Sequence, residues 1–313
     1  MKELEFFDQL RTQVDSELRN IPSSEQLPLF YEPINYINTL PGKKIRPLLT
    51  LVCGLAFGGN LNNLIKPAAA IELLHNFSLV HDDIMDQDEV RRGQPTVHVK
   101  WDLGTAILAG DGLLGLAYRK LLKTGNISGT ILAERFTDAM LDICEGQALD
   151  KMFETQTLVS EEDYLEMIGK KTAVLISLSC EFGAIVGGGS DEQIKSLAEL
   201  GYSIGMGFQI QDDLLDILAD EQVLGKKVGS DLEMNKKTIV SIKLQEKTRK
   251  FTGSIESVEE YQKLIHQENI IPDVEHMVNT YFQNADENLK KMPENEYKKL
   301  LKYLINYIRQ RNK

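Results

Sequence analysis

Residues 72–98 read ELLHNFSLVHDDIMDQDEVRRGQPTVH, and a second stretch, residues 208–216, reads FQIQDDLLD. Each places aspartates in an otherwise apolar segment, with Leu79, Val80 and Ile84 around the first cluster and Phe208, Ile210, Leu214 and Leu215 around the second. On a helix, Asp82 and Asp86 are about 40° apart in azimuth and about 6 Å apart along the axis, and so are Asp212 and Asp216. Like charges at that spacing repel and weaken a helix unless a cation stands between them. Carboxylate oxygens that leave room for water and substrate phosphate are the usual surroundings of Mg²⁺. One such cluster is equally readable as a solvated acidic face; the repetition favours metal. An EF-hand running on from Asp86 and Asp88 is excluded, because Val90 and Arg91 stand where that loop needs a ligand and a glycine.

The surrounding chain carries the helical period. Leu4, Phe7, Leu10, Val14 and Leu18 open it, and Met277, Tyr281, Phe282, Leu300, Leu304, Tyr307 and Ile308 continue it near the end, at steps of three and four. Strand alternation is scarce. Breakers at 22–28, 58–60, 93–95, 125–129, 155–160, 187–190, 224–235 and 252–254 leave about ten to twelve segments of helical length. Ser160 before Glu162 and Asp163, and Ser190 before Gln193, fit N-terminal caps, the second at capping-box spacing. With no repeat, low-complexity tract or linker, the expectation is a single all-α domain over residues 1–313, a large helical bundle.

Composition narrows the function. The 313 residues are 42% hydrophobic and 26% charged, those of an ordinary globular protein, with a formal charge of −12. That balance argues against nucleic acid, whose phosphates demand a broad basic surface; an anionic substrate must be met by a few converging cations or by metal ions. No apolar run approaches the ~20 residues of a membrane span, and charge from Lys2 and Glu3 onward is unlike a secretory signal. The expected location is the cytosol. Cys53, Cys144 and Cys180 have neither disulfide nor zinc spacing and are expected to be small core residues.

Cations flank the aspartates. Arg91 and Arg92 lead into a turn at Gly93, and arginine binds phosphate oxygens bidentately at any relevant pH. Lys43, Lys44 and Arg46, in PGKKIRP at 41–47, open a helical segment whose dipole favours anions. His75 lies two turns before Asp82 on its face, and Gln209 stands likewise seven residues before Asp216. Lys171 and Thr172 interrupt an apolar helix expected from Tyr164 to Val186. Lys226, Lys227, Asp231, Lys236 and Lys237 follow the second cluster, in a place fit for a lid over phosphates. Taken singly, each of these is as readily a solvated or satisfied residue.

Together, PGKKIRP, residues 72–98, KKTA at 170–173, FQIQDDLLD and GKKVGSDLEMNKKT at 225–238 resemble the trans-isoprenyl diphosphate synthases, the polyprenyl synthetase family. The resemblance implies the isoprenoid synthase fold, a helical bundle with a central cavity, commonly paired as a homodimer. It implies three Mg²⁺ ions, with Asp82, Asp86 and Asp212 as direct ligands and Asp83, Asp213 and Asp216 in the same clusters as ligands or as partners of ligands. Lys43, Arg46, His75 and Arg92 match the isopentenyl diphosphate site; Arg91, Lys171, Lys226 and Lys236 match the site of the allylic diphosphate. Thr172 and Gln209 match positions beside the developing carbocation. Pro41 and Asn235 replace family glycines and Lys44 replaces a common arginine.

The implied reaction condenses isopentenyl diphosphate with an allylic diphosphate (dimethylallyl, geranyl or farnesyl) by ionisation, condensation and elimination. Family product length depends on side chains below the first aspartate cluster. Phe77 with the small Ser78 resembles archaeal-type geranylgeranyl diphosphate synthases, with farnesyl diphosphate synthase as the alternative. A class I terpene cyclase is disfavoured, since Asp216 stands where its second metal motif has a hydroxyl residue. A silent partner subunit is disfavoured because both clusters and the arginine pair are kept.

Overall fold

The computed structural model describes residues 2–21, 25, 27–124, 129–218, 236–249 and 257–310. In chain order the elements are α1 (Lys2–Arg19), α2 (Pro28–Thr39), α3 (Ile45–Ala56), α4 (Leu61–Met85), β1 (Val90–Arg91), β2 (Gln94–Pro95), α5 (Val97–Lys100), α6 (Leu103–Leu122), α7 (Gly129–Thr155) and α8 (Glu161–Ile168). A π turn (Gly169–Ala173) leads to α9 (Val174–Gly187), α10 (Asp191–Leu218), α11 (Ile239–Thr248), α12 (Val258–Gln267), α13 (Ile270–Lys290) and α14 (Glu296–Arg309). The protein is all-α, as its periodicity predicts, and β1–β2 is the only sheet among the described residues.

The chain forms two compact units. One holds Met1–Met140, Leu178–Ala198 and Met292–Leu304. Its axis is α4, where Leu64, Ala68, Ala69, Ala70, Ile71, Leu73 and Leu74 are all fully buried. A helix apolar all round belongs in the middle of a bundle, and each such leucine contributes about 1.5–3 kcal/mol of burial. In α1, Phe7, Leu10, Val14 and Leu18 are buried, whereas Leu4 is exposed. The second unit holds Leu141–Ser177, Glu199–Lys291 and Ile305–Lys313. Its core includes Tyr164, Ile204, Ile210, Tyr261, Val274 and Phe282.

Helix ends follow local chemistry. At the end of α3, Gly58 (φ +86°) lets Gly59 N–H reach the Gly54 carbonyl; at the end of α9, Gly188 (φ +83°) lets Gly189 N–H reach that of Ala184. Both are Schellman closures, which need the left-handed residue that glycine supplies without strain. Ser160 and Ser190 both cap as expected. Ser160 pairs reciprocally with Asp163, so aspartate serves where the usual box has Glu or Gln; Ser190 pairs with Gln193.

Three details differ from the sequence expectations. Further breaks at 101–102, 268–269 and 291–295 divide the helical segments more finely. The helix expected from Tyr164 to Val186 is two helices joined by a π turn. Cys53 and Cys180 are buried in mutual contact, which with burial pushes the Cys53 thiol up, but Cys144 is exposed rather than a core residue.

Candidate active site

The first aspartate cluster closes α4. Gln87 adopts φ +57°, Asp88 N–H bonds the Asp83 carbonyl and Gln87 N–H that of Ile84, so a Schellman motif stops the helix directly after DDIMD. Asp82 and Asp83 therefore occupy the last turn, with Asp86 as the cap and no basic residue in that turn. The negative end of the helix dipole adds to the repulsion among the carboxylates. Asp82 and Asp86 are partly exposed, while Asp83 is 1% exposed. Burial raises the Asp83 carboxyl to about 6 against the pull of Arg91. Arg91 donates from Nε to Asp83 Oδ1 and from Nη2 to Asp88 Oδ2 at 3.2 Å. Asp83 Oδ2 is buried without a hydrogen-bond partner.

Immediately beyond, Val90 pairs with Pro95 and Arg91 with Gln94 in a two-residue hairpin. Its turn residues, Arg92 (φ +54°) and Gly93 (φ +73°), both have the left-handed backbone of a type I′ turn. The hairpin is braced by the Tyr36 hydroxyl, which donates to the Pro95 carbonyl at 2.8 Å, and by Thr96, whose hydroxyl donates to the Asp88 carbonyl at 2.7 Å.

The hairpin carries Arg92 over the PGKKIRP loop, where a Cβ on Gly42 would lie 2.8 Å from Arg92 Nη1. Arg46 Nη1 donates to His75 Nε2 at 3.3 Å. Because a guanidinium can only donate, Nε2 is the acceptor and the ring is neutral with its proton on Nδ1. Burial first, then the charges of Arg46, Arg92, Lys44 and Arg91, hold His75 well below the usual histidine range. Burial lowers Arg46 to about 10, Glu72 opposing and Arg92 assisting. Arg46 Nε is buried without a partner. Arg46, His75 and Arg92 thus gather in the first unit. Lys43 is exposed, and its carbonyl accepts from Arg11 Nε at 3.2 Å. Lys44 turns inward, 3% exposed, and pairs with Glu72 at 3.1 Å.

In the second unit, Asp212, Asp213 and Asp216 lie in the last two turns of α10, which has no basic residue in its last turn. Asp212 is partly exposed; Asp213 and Asp216 are buried. Asp213 accepts from Tyr164 Oη at 2.6 Å, Gln209 Nε2 at 3.1 Å and the Ile239 N–H at 3.1 Å, so it also caps α11. Thr172 Oγ1 donates to Gln209 Oε1 at 3.0 Å. The relay from Thr172 through Gln209 to Asp213 fixes the amide orientation. Lys171 Nζ meets Asp150 Oδ2 at 2.5 Å. The π turn presenting Lys171 and Thr172 lies backbone-to-backbone against Gly146, where a Cβ would stand 2.3 Å from Lys171 N. One-turn π segments recur at functional sites. Lys236 is partly exposed just before α11; Lys226, Lys227 and Asp231 lie outside the described residues.

Sequence reading missed Glu72, Asp88, Asp150, Tyr164 and Gln147, whose amide atoms are both buried without a partner. Asp150 and Gln147 lie one turn apart on α7, and an EGQALD stretch in an apolar helix was the available signal. Phe77 is 8% exposed and packs its ring on His81 at 4.6 Å between centroids, while the Ser78 hydroxyl bonds back to the His75 carbonyl at 2.9 Å.

Comparison with known proteins agrees. Residues 27–273 match the polyprenyl synthetase family model. A geranylgeranyl diphosphate synthase of Methanosarcina mazei is 39% identical over 300 residues, covering 93% of this chain and 92% of that protein. A geranylfarnesyl diphosphate synthase of Natronomonas pharaonis is 34% identical, covering 95% of each. The crystal structure of geranylgeranyl pyrophosphate synthetase from Pyrococcus horikoshii Ot3 superposes with a TM-score of 0.92 at 34% identity, over 99% of both chains. With the helix-end carboxylates and the arginine–histidine cluster in place, the chain belongs to the polyprenyl synthetase family.

Proposed function

We propose that this chain is a short-chain trans-prenyltransferase, a transferase that condenses isopentenyl diphosphate with allylic diphosphates (dimethylallyl, geranyl and farnesyl) and releases geranylgeranyl diphosphate. The observation that carries the reading is the first unit's carboxylate cluster at the C-terminus of α4 with His75 about two turns before it on the same helix, and Arg46 and Arg92 beside that histidine. A cation demand and an anion demand lie side by side there.

The residues fit Mg²⁺. The donors are hard carboxylate oxygens at helix ends that already carry negative dipole charge. Asp83 Oδ2 is a buried oxygen in want of a partner. Among the described residues no three His, Cys, Asp or Glu side chains enclose an ion; Mg²⁺ takes one or two carboxylates and fills its octahedron with water and substrate phosphate. Asp82, Asp86 and Asp212, the partly exposed members, would hold three ions, with Asp83, Asp213 and Asp216 orienting them. Bound there, Mg²⁺ would neutralise charge on the departing diphosphate.

The chain's own residues do the rest. Arg46, Arg92, Lys43 and neutral His75 hold isopentenyl diphosphate; Arg91, Lys171, Lys226 and Lys236 hold the allylic diphosphate. As the allylic carbon–oxygen bond breaks, Thr172 and Gln209, locked by Asp213, turn oxygen lone pairs toward the cation. The alkene attacks, a carbon–carbon bond forms, and the released diphosphate takes the proton. Apolar walls keep water from the cation.

The enzyme acts as one domain in the cytosol and as a homodimer. Leu103, Ile107, Leu108 and Leu122 of α6 are exposed apolar side chains suited to a second copy. Among the described residues no helix is long and apolar enough to cross a membrane. Incubation with labelled isopentenyl diphosphate, an allylic primer and Mg²⁺ should yield a twenty-carbon alcohol after dephosphorylation. Asp82→Ala or Asp212→Ala should abolish it with unchanged circular dichroism. Turnover near wild type in either variant at saturating Mg²⁺ would refute the assignment.

A further inference from the structure

We infer that Gly110 of α6 determines product length by setting how far the Phe77 ring can retract, with His81 as the wedge between them. The inference rests on the proposed prenyl-chain elongation and deepens it. Phe77 and His81 are one turn apart on α4, so their rings lie on one face. They are in contact, 4.6 Å between centroids at a 58° tilt. Gly110 of α6 also lies against the His81 ring. A Cβ there would lie 2.2 Å from His81 Nε2 and 2.6 Å from its Cδ2, far inside contact distance. The space of one methyl group is therefore what lets the histidine ring lie back against α6.

Among the described residues His81 Nε2 is buried with no hydrogen-bond partner, so packing sets that end of the ring, and a ring held by packing passes displacement on. Phe77 has little room to yield along the helix. Leu73, one turn below, and Leu74 are fully buried. A His81 ring pushed off α6 by roughly 1 Å, the shortfall from ordinary carbon contact, therefore drives Phe77 toward the lengthening prenyl tail. Gly110 carries the specificity as a positioning residue. Gly110 acts through His81, and Phe77 is the group that would meet the prenyl tail.

The test compares the wild type, Gly110→Ala, Phe77→Ser and the double variant on a dimethylallyl primer with excess isopentenyl diphosphate, by chromatography of the dephosphorylated products. Circular dichroism and urea midpoints verify that each folds. Gly110→Ala should raise the ratio of fifteen- to twenty-carbon product at least about fivefold, whereas the double variant should match the longer pattern of Phe77→Ser. That background dependence is what a merely destabilising substitution would not produce. The inference is overturned if Gly110→Ala leaves the distribution unchanged while Phe77→Ser lengthens it, an outcome in which elongation itself stands. It is equally overturned if Gly110→Ala shortens product to the same extent in both backgrounds, for the signal would then bypass Phe77. Gly110→Ser, with a side chain of similar reach, should shorten product as alanine does; a wild-type pattern there would count against the wedge.

Discussion

Replacing Glu72 with leucine leaves Lys44 stranded, and the cost can be worked from the pair's surroundings. Both side chains are 3% exposed and Lys44 Nζ lies 3.1 Å from Glu72 Oε1. Breaking a buried ion pair on one side costs about 3–5 kcal/mol, because the remaining charge is neither solvated nor paired. With a urea slope of about 3 kcal/mol/M, that lowers the midpoint of the first unit by about 1–1.7 M. The chain has a single tryptophan, Trp101, in that unit, so its fluorescence isolates the transition. Removing both charges, as Lys44→Met with Glu72→Leu, should return the midpoint to within about 0.5 M of wild type, since buried pairs are commonly replaceable by apolar residues. KM for isopentenyl diphosphate should stay within about threefold in the double variant, for Lys44 faces away from solvent and substrate. A double variant as unstable as the single would refute the pair as the source of the cost. A tenfold rise in KM would show that Lys44 meets the diphosphate after all.

Arg92→Ala should raise KM for isopentenyl diphosphate by at least about tenfold with a smaller change for the primer, because Arg92 lies with Arg46 and His75 whereas Arg91 is turned to Asp83 and Asp88; equal losses for both substrates would contradict that division. His75, held below its ordinary range by burial and by Arg46, Arg92, Lys44 and Arg91, binds fewer protons folded than unfolded. Its stabilisation is therefore full above about pH 6.5 and is lost as pH falls through the lower folded value. His75→Gln should flatten the acid limb of the urea midpoint between about pH 6.5 and 5, and an acid limb as steep as wild type would refute the assignment.

How much of this was legible depended on the range of the interaction. The helices were readable where burial repeats at the helical period, as in α1, and the stops at Gly58 and Gly188 because only a left-handed residue completes those closures. The stop after DDIMD was not, since Gln87 takes the left-handed place where glycine is expected. Arg46, His75 and Arg92 could be assigned by motif, but Glu72, which neutralises the neighbouring Lys44, sits on the buried side of α4 and reads as a helix-face acid. The π turn is invisible locally: nothing in the sequence of Gly169–Ala173 separates it from an α-helical turn, and what accompanies its wider turn is the close approach of Gly146 from α7, a contact set by tertiary packing. Likewise Asp213 looks like one more carboxylate of the second cluster. Only its three donors, Tyr164, Gln209 and the Ile239 amide, reveal a residue that joins α8, α10 and α11.

Those placements explain how a chain of charge −12 can receive an anion. Two of its site cations are paired, Arg91 with Asp83 and Asp88 and Lys171 with Asp150, and the neighbouring Lys44 is paired with Glu72. Arg46 has a neutral histidine, a neighbouring guanidinium, the charge of Glu72 and, among the described residues, a buried Nε without an acceptor. Burial and Arg92 depress Arg46 to about 10 and His75 well below its usual range, so positive charge is unfavourable there. A diphosphate would oppose the repulsion from the neighbouring cations, so binding would raise the two proton affinities, and by linkage affinity would rise where His75 takes up a proton. At neutral pH that reserve is unused: the ring accepts from Arg46 and holds the guanidinium in place. Arg91 is held to the aspartate end of α4 and Lys171 to Asp150 of α7, each within its own unit, while Arg46 and Arg92 supply the attraction in the first unit.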